Sequence, residues 1–176
     1  MSLRNTPKTY GIIAKFFHWL VALLAISMLI FGYFLDDFSK GIQPLTYNIH
    51  KVTGVIILSI MLLRLIWTLF NTKPIALPNT AGWEKLAEKT VQFSLYAFLI
   101  LMPLAGWMGA SAAGKPPHLG KWEIALPIHG NKAFISMLFD LHGTIALILI
   151  ALISMHFLAA LYHQFIRKDD LLKRMI

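Results

Sequence analysis

The residues of this sequence best suited to metal chemistry are its seven histidines, because the chain contains no cysteine. The absence of thiols excludes disulfides, iron–sulfur clusters and zinc–thiolate sites. Three of the histidines, His142, His156 and His163, lie in the otherwise apolar stretch DLHGTIALILIALISMHFLAALYHQF. An ionisable side chain in so apolar a segment costs free energy, so its presence indicates a function.

The spacing of the histidines predicts two pairs. His142 and His156 are fourteen residues apart, which is almost four helical turns, so they share one helix face at depths that differ by about 21 Å. His18 lies about two turns into the first apolar stretch, and His50 lies near the beginning of the second. In helices that alternate in direction, His18 falls at the level of His156 and His50 at the level of His142.

Two histidines at each level favour haem over a bare metal ion. Zinc takes three or four protein ligands, and only Asp140, near the outer rim, adds a carboxylate at either level. Haem iron already has four equatorial nitrogens and needs one or two axial ligands. The alternative interpretation is that each histidine hydrogen-bonds the backbone or a hydroxyl group of a neighbouring helix.

A small residue follows each candidate ligand by four positions, on the same helix face. Such a residue leaves room for the edge of a porphyrin, so these four are candidate cofactor contacts: Ala22, Gly54, Ala146 and Ala160. The loop residue His129 has Ala133 in the same relation, which makes the pattern support and not proof.

The elements that must position these residues are predicted to be transmembrane helices. The chain of 176 residues is 57% hydrophobic and 14% charged, whereas soluble domains carry about 25% charged residues. Four stretches reach the roughly 20 residues needed to cross a bilayer: about 12–35, 47–70, 88–110 and 136–166. The sequence thus predicts an all-α integral membrane protein, a four-helix bundle with two haem groups stacked across the membrane, as a single domain over residues 1–176.

The distribution of basic residues predicts the orientation. Eleven Lys and Arg residues lie on the side of the two termini and five on the other side, so both termini are predicted to face the cytoplasm. The net charge of +8 is then explained by topology and by lipid phosphates, and no nucleic-acid partner is predicted.

The segments KFFHWLVALL, NIHKVTGVIILSIMLLRL and DLHG…SMHFLAALYH resemble the bacterial cytochrome b561 family, four-helix dihaem proteins of the inner membrane. The resemblance covers nearly the whole chain, including the ending RKDDLLKRM, although cytochrome b subunits of hydrogenases and formate dehydrogenases share much of the pattern. It implies that His18 and His156 bind a haem b on the cytoplasmic side, and that His50 and His142 bind the outer one.

The same resemblance implies an activity. Some members of the family pass electrons between a quinone and the outer face, and at least one is a superoxide oxidase that delivers the electron to ubiquinone. His163 is similar in position to a family histidine near the presumed quinone pocket. The long outer loop GKPPHLGKWEIALPIHGNK matches the family only loosely, which leaves the electron donor open.

Three sets of residues receive expected roles beside the ligands. His163, at the inner rim, is expected to hydrogen-bond a quinone oxygen or relay its proton, or else to meet lipid headgroups. Arg64 shares the face of His50 near the inner level, where it can pair with a haem propionate or a quinone, or extend to the interface. Four lysines, Lys51, Lys115, Lys121 and Lys132, form a cationic outer rim that would attract a small anion such as superoxide. The five basic and four acidic residues predicted on that side nevertheless leave it a net charge of only +1.

Three functions remain open from the sequence. The first is a stand-alone oxidoreductase that oxidises superoxide or another small outer donor and reduces ubiquinone. The second is a membrane-anchoring cytochrome b subunit that serves a separate soluble dehydrogenase or hydrogenase, as a protein redox partner. The third is a four-helix scaffold or transporter without haem.

Overall fold

Four long helices make up most of the structure, a computed structural model that describes residues 2–75, 81–169 and 171–176. The helices are α1 (Ile12–Tyr33), α2 (Gln43–Leu69), α3 (Gly82–Ala112) and α4 (Lys132–Tyr162). All four are long and apolar enough to cross a membrane. The prediction of an all-α membrane bundle is confirmed.

Three of the helices begin earlier than the apolar stretches that predict them. Hydropathy locates the part of a helix that lies in hydrocarbon, whereas the helix itself extends into the polar interface. At the beginning of α3, the carboxylate of Glu84 accepts a hydrogen bond from the backbone N–H of Ala81 at 2.9 Å. At the beginning of α4, the side chain of Asn131 accepts one from the backbone N–H of Phe134 at 2.9 Å. Polar caps therefore set these starts, beyond the apolar runs.

Four short elements among the described residues were not predicted. A two-stranded antiparallel hairpin, β1 (His118–Leu119) and β2 (Trp122–Glu123), lies in the link between α3 and α4. A 3₁₀ turn follows α1 at Leu35–Asp37, and another spans Leu172–Arg174. A π-helical turn, His163–Arg167, continues α4.

The helices pack in chain order, with α2 between α1 and α3, and α3 between α2 and α4. All four contribute to one buried apolar cluster, which includes Val21 of α1, Met61 of α2, Leu99 of α3 and Leu149 of α4. Large apolar side chains elsewhere on the helices point outward, which suits contact with lipid. The buried interior of the bundle is therefore narrow, and His18, His50, His142 and His156 lie along it.

Both ends of the chain meet at one end of the bundle. The indole N–H of Trp19 donates to the carbonyl oxygen of Met175 at 2.9 Å, and the ammonium of Lys15 donates to the carbonyl oxygen of Ile176. The guanidinium of Arg174 donates to the carbonyl oxygen of Ile75, in the link between α2 and α3, at 2.6 Å. The C-terminal segment therefore folds back against the first turns of α1, one residue from His18.

Candidate metal centre

Four of the histidines form two close pairs. The ring centroids of His18 in α1 and His156 in α4 are 6.2 Å apart, with an interplanar angle of 64°. Those of His50 in α2 and His142 in α4 are 5.9 Å apart, with an angle of 74°. The structure thus brings together the same two pairs that the sequence predicts, at opposite ends of the bundle.

The separation of the rings fits one metal ion between each pair. A metal–imidazole bond is about 2.0 Å long, and the ring centre lies about 1 Å beyond the ligating nitrogen, so two imidazoles on opposite sides of one iron have centroids roughly 6 Å apart. Within the described residues, no group of three or more His, Cys, Asp or Glu side chains is placed to hold a metal ion. A two-ligand arrangement suits a metal that brings its own equatorial ligands, which is the property of haem.

His142 is fixed by the backbone of α3. Its Nδ1 lies 2.8 Å from the carbonyl oxygen of Met102, and because a carbonyl can only accept, Nδ1–H must donate. In a neutral imidazole the lone pair is then on Nε2, the atom available to a metal. A Cβ at Gly106 would lie 2.7 Å from Nδ1 and 2.9 Å from Cε1 of His142. Only glycine at position 106 permits the ring to approach this closely.

The imidazole of His50 is positioned mainly by packing against Gly32 and Phe31. A Cβ at Gly32 of α1 would lie 2.9 Å from Cε1 of His50, and the ring of Phe31 stacks on the imidazole at 6.4 Å and 25°. Its Nδ1 is buried and has no hydrogen-bond partner among the described residues. The two outer histidines therefore rest against a glycine of a neighbouring helix, but only His142 has its ring nitrogen fixed by a hydrogen bond.

Gly32 and Gly106 are residues that the sequence reasoning missed. The available signal was their position inside apolar helices, where glycine is less favourable than alanine by about 1 kcal/mol and needs a packing reason. Of the four predicted small contacts, Gly54 lies beside α3, where an added Cβ would be 4.0 Å from Cβ of Pro103. The other three are half-buried: Ala22, Ala146 and Ala160.

Arg64 lies against the pair formed by His18 and His156, which the sequence predicts to be the inner one. Its Nη2 is 3.2 Å from Nδ1 of His18, and its guanidinium lies 5.2 Å from the ring centroid of Tyr96. The phenol oxygen of Tyr96 is 2.9 Å from Oγ1 of Thr68. Since a guanidinium only donates, Nδ1 of His18 accepts here and the proton of a neutral ring is on Nε2. Metal ligation through Nε2 therefore requires His18 to change tautomer and release Arg64.

An apolar cleft separates α1 from α4, and none of the paired histidines lines it. Its volume is about 450 Å³, and it is lined by Ile26, Leu29, Ile30, Tyr33 and Phe34 of α1 and by Ile150, Ile153, Ser154 and Phe157 of α4. The wall from α4 lies on the stretch between His142 and the residue after His156. Such a surface suits the apolar faces of a porphyrin.

The four predicted outer lysines differ in whether their ammonium groups are hydrogen-bonded or exposed. The ammonium of Lys51 donates to the carbonyl oxygens of Lys115 at 2.8 Å and Pro116 at 3.3 Å, so it ties α2 to the outer loop. Lys115, Lys121 and Lys132 are exposed. Of the four predicted cations, three therefore have accessible ammonium groups, and the fourth is committed to the backbone.

His163 lies at the other end, in the π-helical turn that follows α4. Its Nδ1 is 2.6 Å from Oδ2 of Asp169, a partner that the sequence reasoning did not anticipate. The ring centroids of Tyr162 and His163 are 5.9 Å apart. The predicted quinone contact is thus part of a local ion-pair arrangement.

Known proteins resemble this chain over nearly its full length. It is 31% identical to cytochrome b561 homolog 2 of Escherichia coli K12, across 100% of this chain and 95% of that protein. It is 27% identical to cytochrome b561 homolog 1 of the same organism, across 92% and 93%, and 27% identical to cytochrome b562 of Cereibacter sphaeroides, across 90% and 89%.

The prokaryotic cytochrome b561 family matches residues 9–176. Membership makes the chain a multi-pass bacterial membrane protein that binds haem b and transfers electrons. The scaffold or transporter without haem is thereby excluded. With four membrane-spanning helices and paired histidines in the expected order, this chain belongs to the prokaryotic cytochrome b561 family.

Proposed function

We propose that the chain holds two haem b groups and carries electrons from superoxide at the outer face to ubiquinone at the inner end of the bundle. The observation that carries the proposal is the presence of two histidine pairs, each with ring centroids about 6 Å apart. His18 and His156 are the ligands at the inner level, and His50 and His142 are those at the outer level.

The paired ligands determine the kind of chemistry. Haem would supply a one-electron carrier, and the two histidines of each pair would hold it. His142 and His156 are about 21 Å apart along α4. The two histidine pairs would therefore hold two carriers at two levels of the bundle.

The reaction balances with two donors for each acceptor. Two superoxide anions lose one electron each and leave as two molecules of dioxygen, while ubiquinone gains two electrons and two protons and leaves as ubiquinol. Exposed Lys115, Lys121 and Lys132 would raise the encounter rate of the anion at the outer face. His163 would serve the quinone at the opposite end.

The proposed orientation places the termini in the cytoplasm of a bacterium. It is supported by the eleven basic residues on the side of the termini against five on the other. The hydrogen bonds from the Trp19 indole to the carbonyl oxygen of Met175 and from the Arg174 guanidinium to that of Ile75 support one common end for both termini and the link between α2 and α3. Superoxide would then be collected on the outer side of the inner membrane.

The cofactor count tests the first part of the proposal. Purified protein should contain two haem b groups per chain by pyridine haemochrome assay, and reduced spectra should show two low-spin b-type components. One haem per chain in fully loaded protein would exclude the paired arrangement. Protein without haem that is still fully folded would refute the proposal altogether.

A reduction experiment tests the donor and the acceptor. Ferric protein in liposomes should be reduced by a pulse of superoxide at a rate approaching the diffusion limit of about 10⁹ M⁻¹s⁻¹, and reoxidised by a ubiquinone analogue. The reduction rate should fall as salt is added, because screening weakens attraction between exposed charges. Superoxide dismutase, added before the pulse, is the control.

Slow reduction by superoxide in protein that dithionite reduces fully would contradict the superoxide proposal. It would favour a cytochrome b subunit that receives electrons from a soluble protein partner.

A further inference from the structure

The inner end of α4 has an irregular backbone that brings two titratable side chains together. The helix changes to a π-helical turn over His163–Arg167, and Lys168 then adopts φ 53° and ψ 40°. Lys168 is the only non-glycine residue with positive φ in the described part of the chain. Left-handed backbone at a residue with a Cβ is unfavourable, and π-helical turns are frequent at functional sites.

The irregular turn brings the side chain of Asp169 into contact with that of His163. Oδ2 of Asp169 lies 2.6 Å from Nδ1 of His163, and both side chains are 20% exposed. The backbone N–H of Asp169 also approaches the carbonyl oxygen of His163, at 3.4 Å. A regular continuation of α4 would carry residue 169 away from residue 163, so the irregular turn creates the contact.

Two further charged groups face this pair. Nη1 of Arg167 lies 2.5 Å from Oε1 of Glu84 in α3, and Nε of Arg167 lies 3.6 Å from Oδ2 of Asp169. Tyr162 adjoins His163 on the same helix. Arg167, Glu84 and Asp169 together carry one net negative charge, and a proton on His163 brings the group to neutrality. The arrangement can therefore hold and release one proton without leaving uncompensated positive charge.

The hydrogen bond to Asp169 selects which ring atom meets a ligand. A carboxylate accepts, so Nδ1–H of His163 donates to Oδ2, and Nε2 is left as the atom that exchanges a proton with another molecule. His163 follows His156 by seven residues, about 10.5 Å along the axis. Its neighbours Phe165 and Ile166 are exposed apolar side chains, which suits contact with the lipid from which a quinone would arrive.

We propose that Asp169 is the positioning residue that makes His163 the proton donor to a quinone reduced at the inner end. This inference rests on the proposed function. As the quinone receives electrons from the inner redox centre, the Nε2–H bond of His163 breaks and an O–H bond forms on the quinone. Nδ1–H remains bonded to Asp169, and Nε2 regains its proton from water on that side. Two such transfers accompany the two electrons that yield quinol.

The experiment compares Asp169→Asn with unsubstituted protein in liposomes. Haem is first reduced by dithionite, and its reoxidation by a short-chain ubiquinone analogue is followed by stopped flow across a range of pH. Asp169→Asn should slow reoxidation at least about tenfold, because general acid catalysis by a positioned side chain contributes about 10²- to 10⁴-fold. Its haem content, spectrum and rate of reduction by superoxide should be unchanged, and Asp169→Glu should restore part of the rate.

The matched control is Glu88→Gln, which removes one negative charge from an exposed position on α3 at the same end. It should reoxidise at the unsubstituted rate. An equal loss in Glu88→Gln would mean that net charge, and not the contact with His163, is responsible, and would overturn the inference.

Failure of the inference is distinguishable from failure of the proposed function. If quinone does not reoxidise the unsubstituted protein, quinone reduction itself is wrong. If it does, and Asp169→Asn matches it at every pH, Asp169 has no role in proton delivery. If Asp169→Asn loses haem, the test moves to the unsubstituted protein. Its reoxidation by quinone should be slower in D₂O than in H₂O, and equal rates in the two solvents would overturn the inference.

Discussion

Replacement of His156 by alanine is expected to leave one haem per chain in place of two. The inner metal would keep only His18, whose Nδ1 is already engaged by Arg64 at 3.2 Å. The outer pair, about 21 Å away along α4, shares neither ligand. Pyridine haemochrome assay and reduced spectra of the purified variant measure the loss directly, and the remaining component should match the outer haem.

Two further variants make this result specific. His142→Ala should produce the complementary loss, so that the two single-haem spectra add up to that of the unsubstituted protein. His129→Ala, in an exposed loop position, should retain both haems. Unchanged haem content in His156→Ala, or loss of both haems with a folded bundle, would contradict the pairing.

Gly106→Val is expected to remove the outer haem although the residue ligates nothing. A Cβ at this position would lie 2.7 Å from Nδ1 of His142, well inside van der Waals contact, so the imidazole must leave the carbonyl of Met102. Overpacking of this kind costs about 1–3 kcal/mol, and relief by rotation of His142 is available at the expense of ligation. We expect loss of the outer spectral component and of reduction by superoxide, with the inner component retained.

Gly143→Val is the matched control. Gly143 is adjacent to His142 in α4, and a Cβ there would meet nothing within 4 Å. The same substitution in the same kind of helix, but with space for the side chain, should preserve both haems. Equal effects of the two substitutions would show that helix propensity, and not contact with His142, is responsible.

The sequence predicts the helices and the relation between histidines well, because both depend on local periodicity and length. Apolar runs of sufficient length define the membrane helices, and fourteen residues in a helix fix both the shared face and the depth difference of His142 and His156. The facing of His18 toward His156 follows once the helices alternate in direction. Each of these inferences uses distances along the chain.

What the sequence could not predict depends on how the helices rotate against one another. The approach of Gly106 to His142 and of Gly32 to His50 is set by packing between different helices, and a single glycine in an apolar run carries many possible meanings. The contact between Lys51 and the carbonyl oxygens of the outer loop depends on the loop's path. The return of Asp169 to His163 needs a π-helical turn and a left-handed lysine, neither of which hydrophobic periodicity reveals.

The unequal hydrogen bonds of His142 and His18 have a consequence for how each would hold a metal. His142 has its proton on Nδ1 and its Nε2 free, because Nδ1–H donates to the carbonyl oxygen of Met102. His18 would have to move its proton from Nε2 to Nδ1 and part from Arg64 before Nε2 could ligate. Metal binding by His18 is therefore coupled to the position of Arg64, and metal binding by His142 is not.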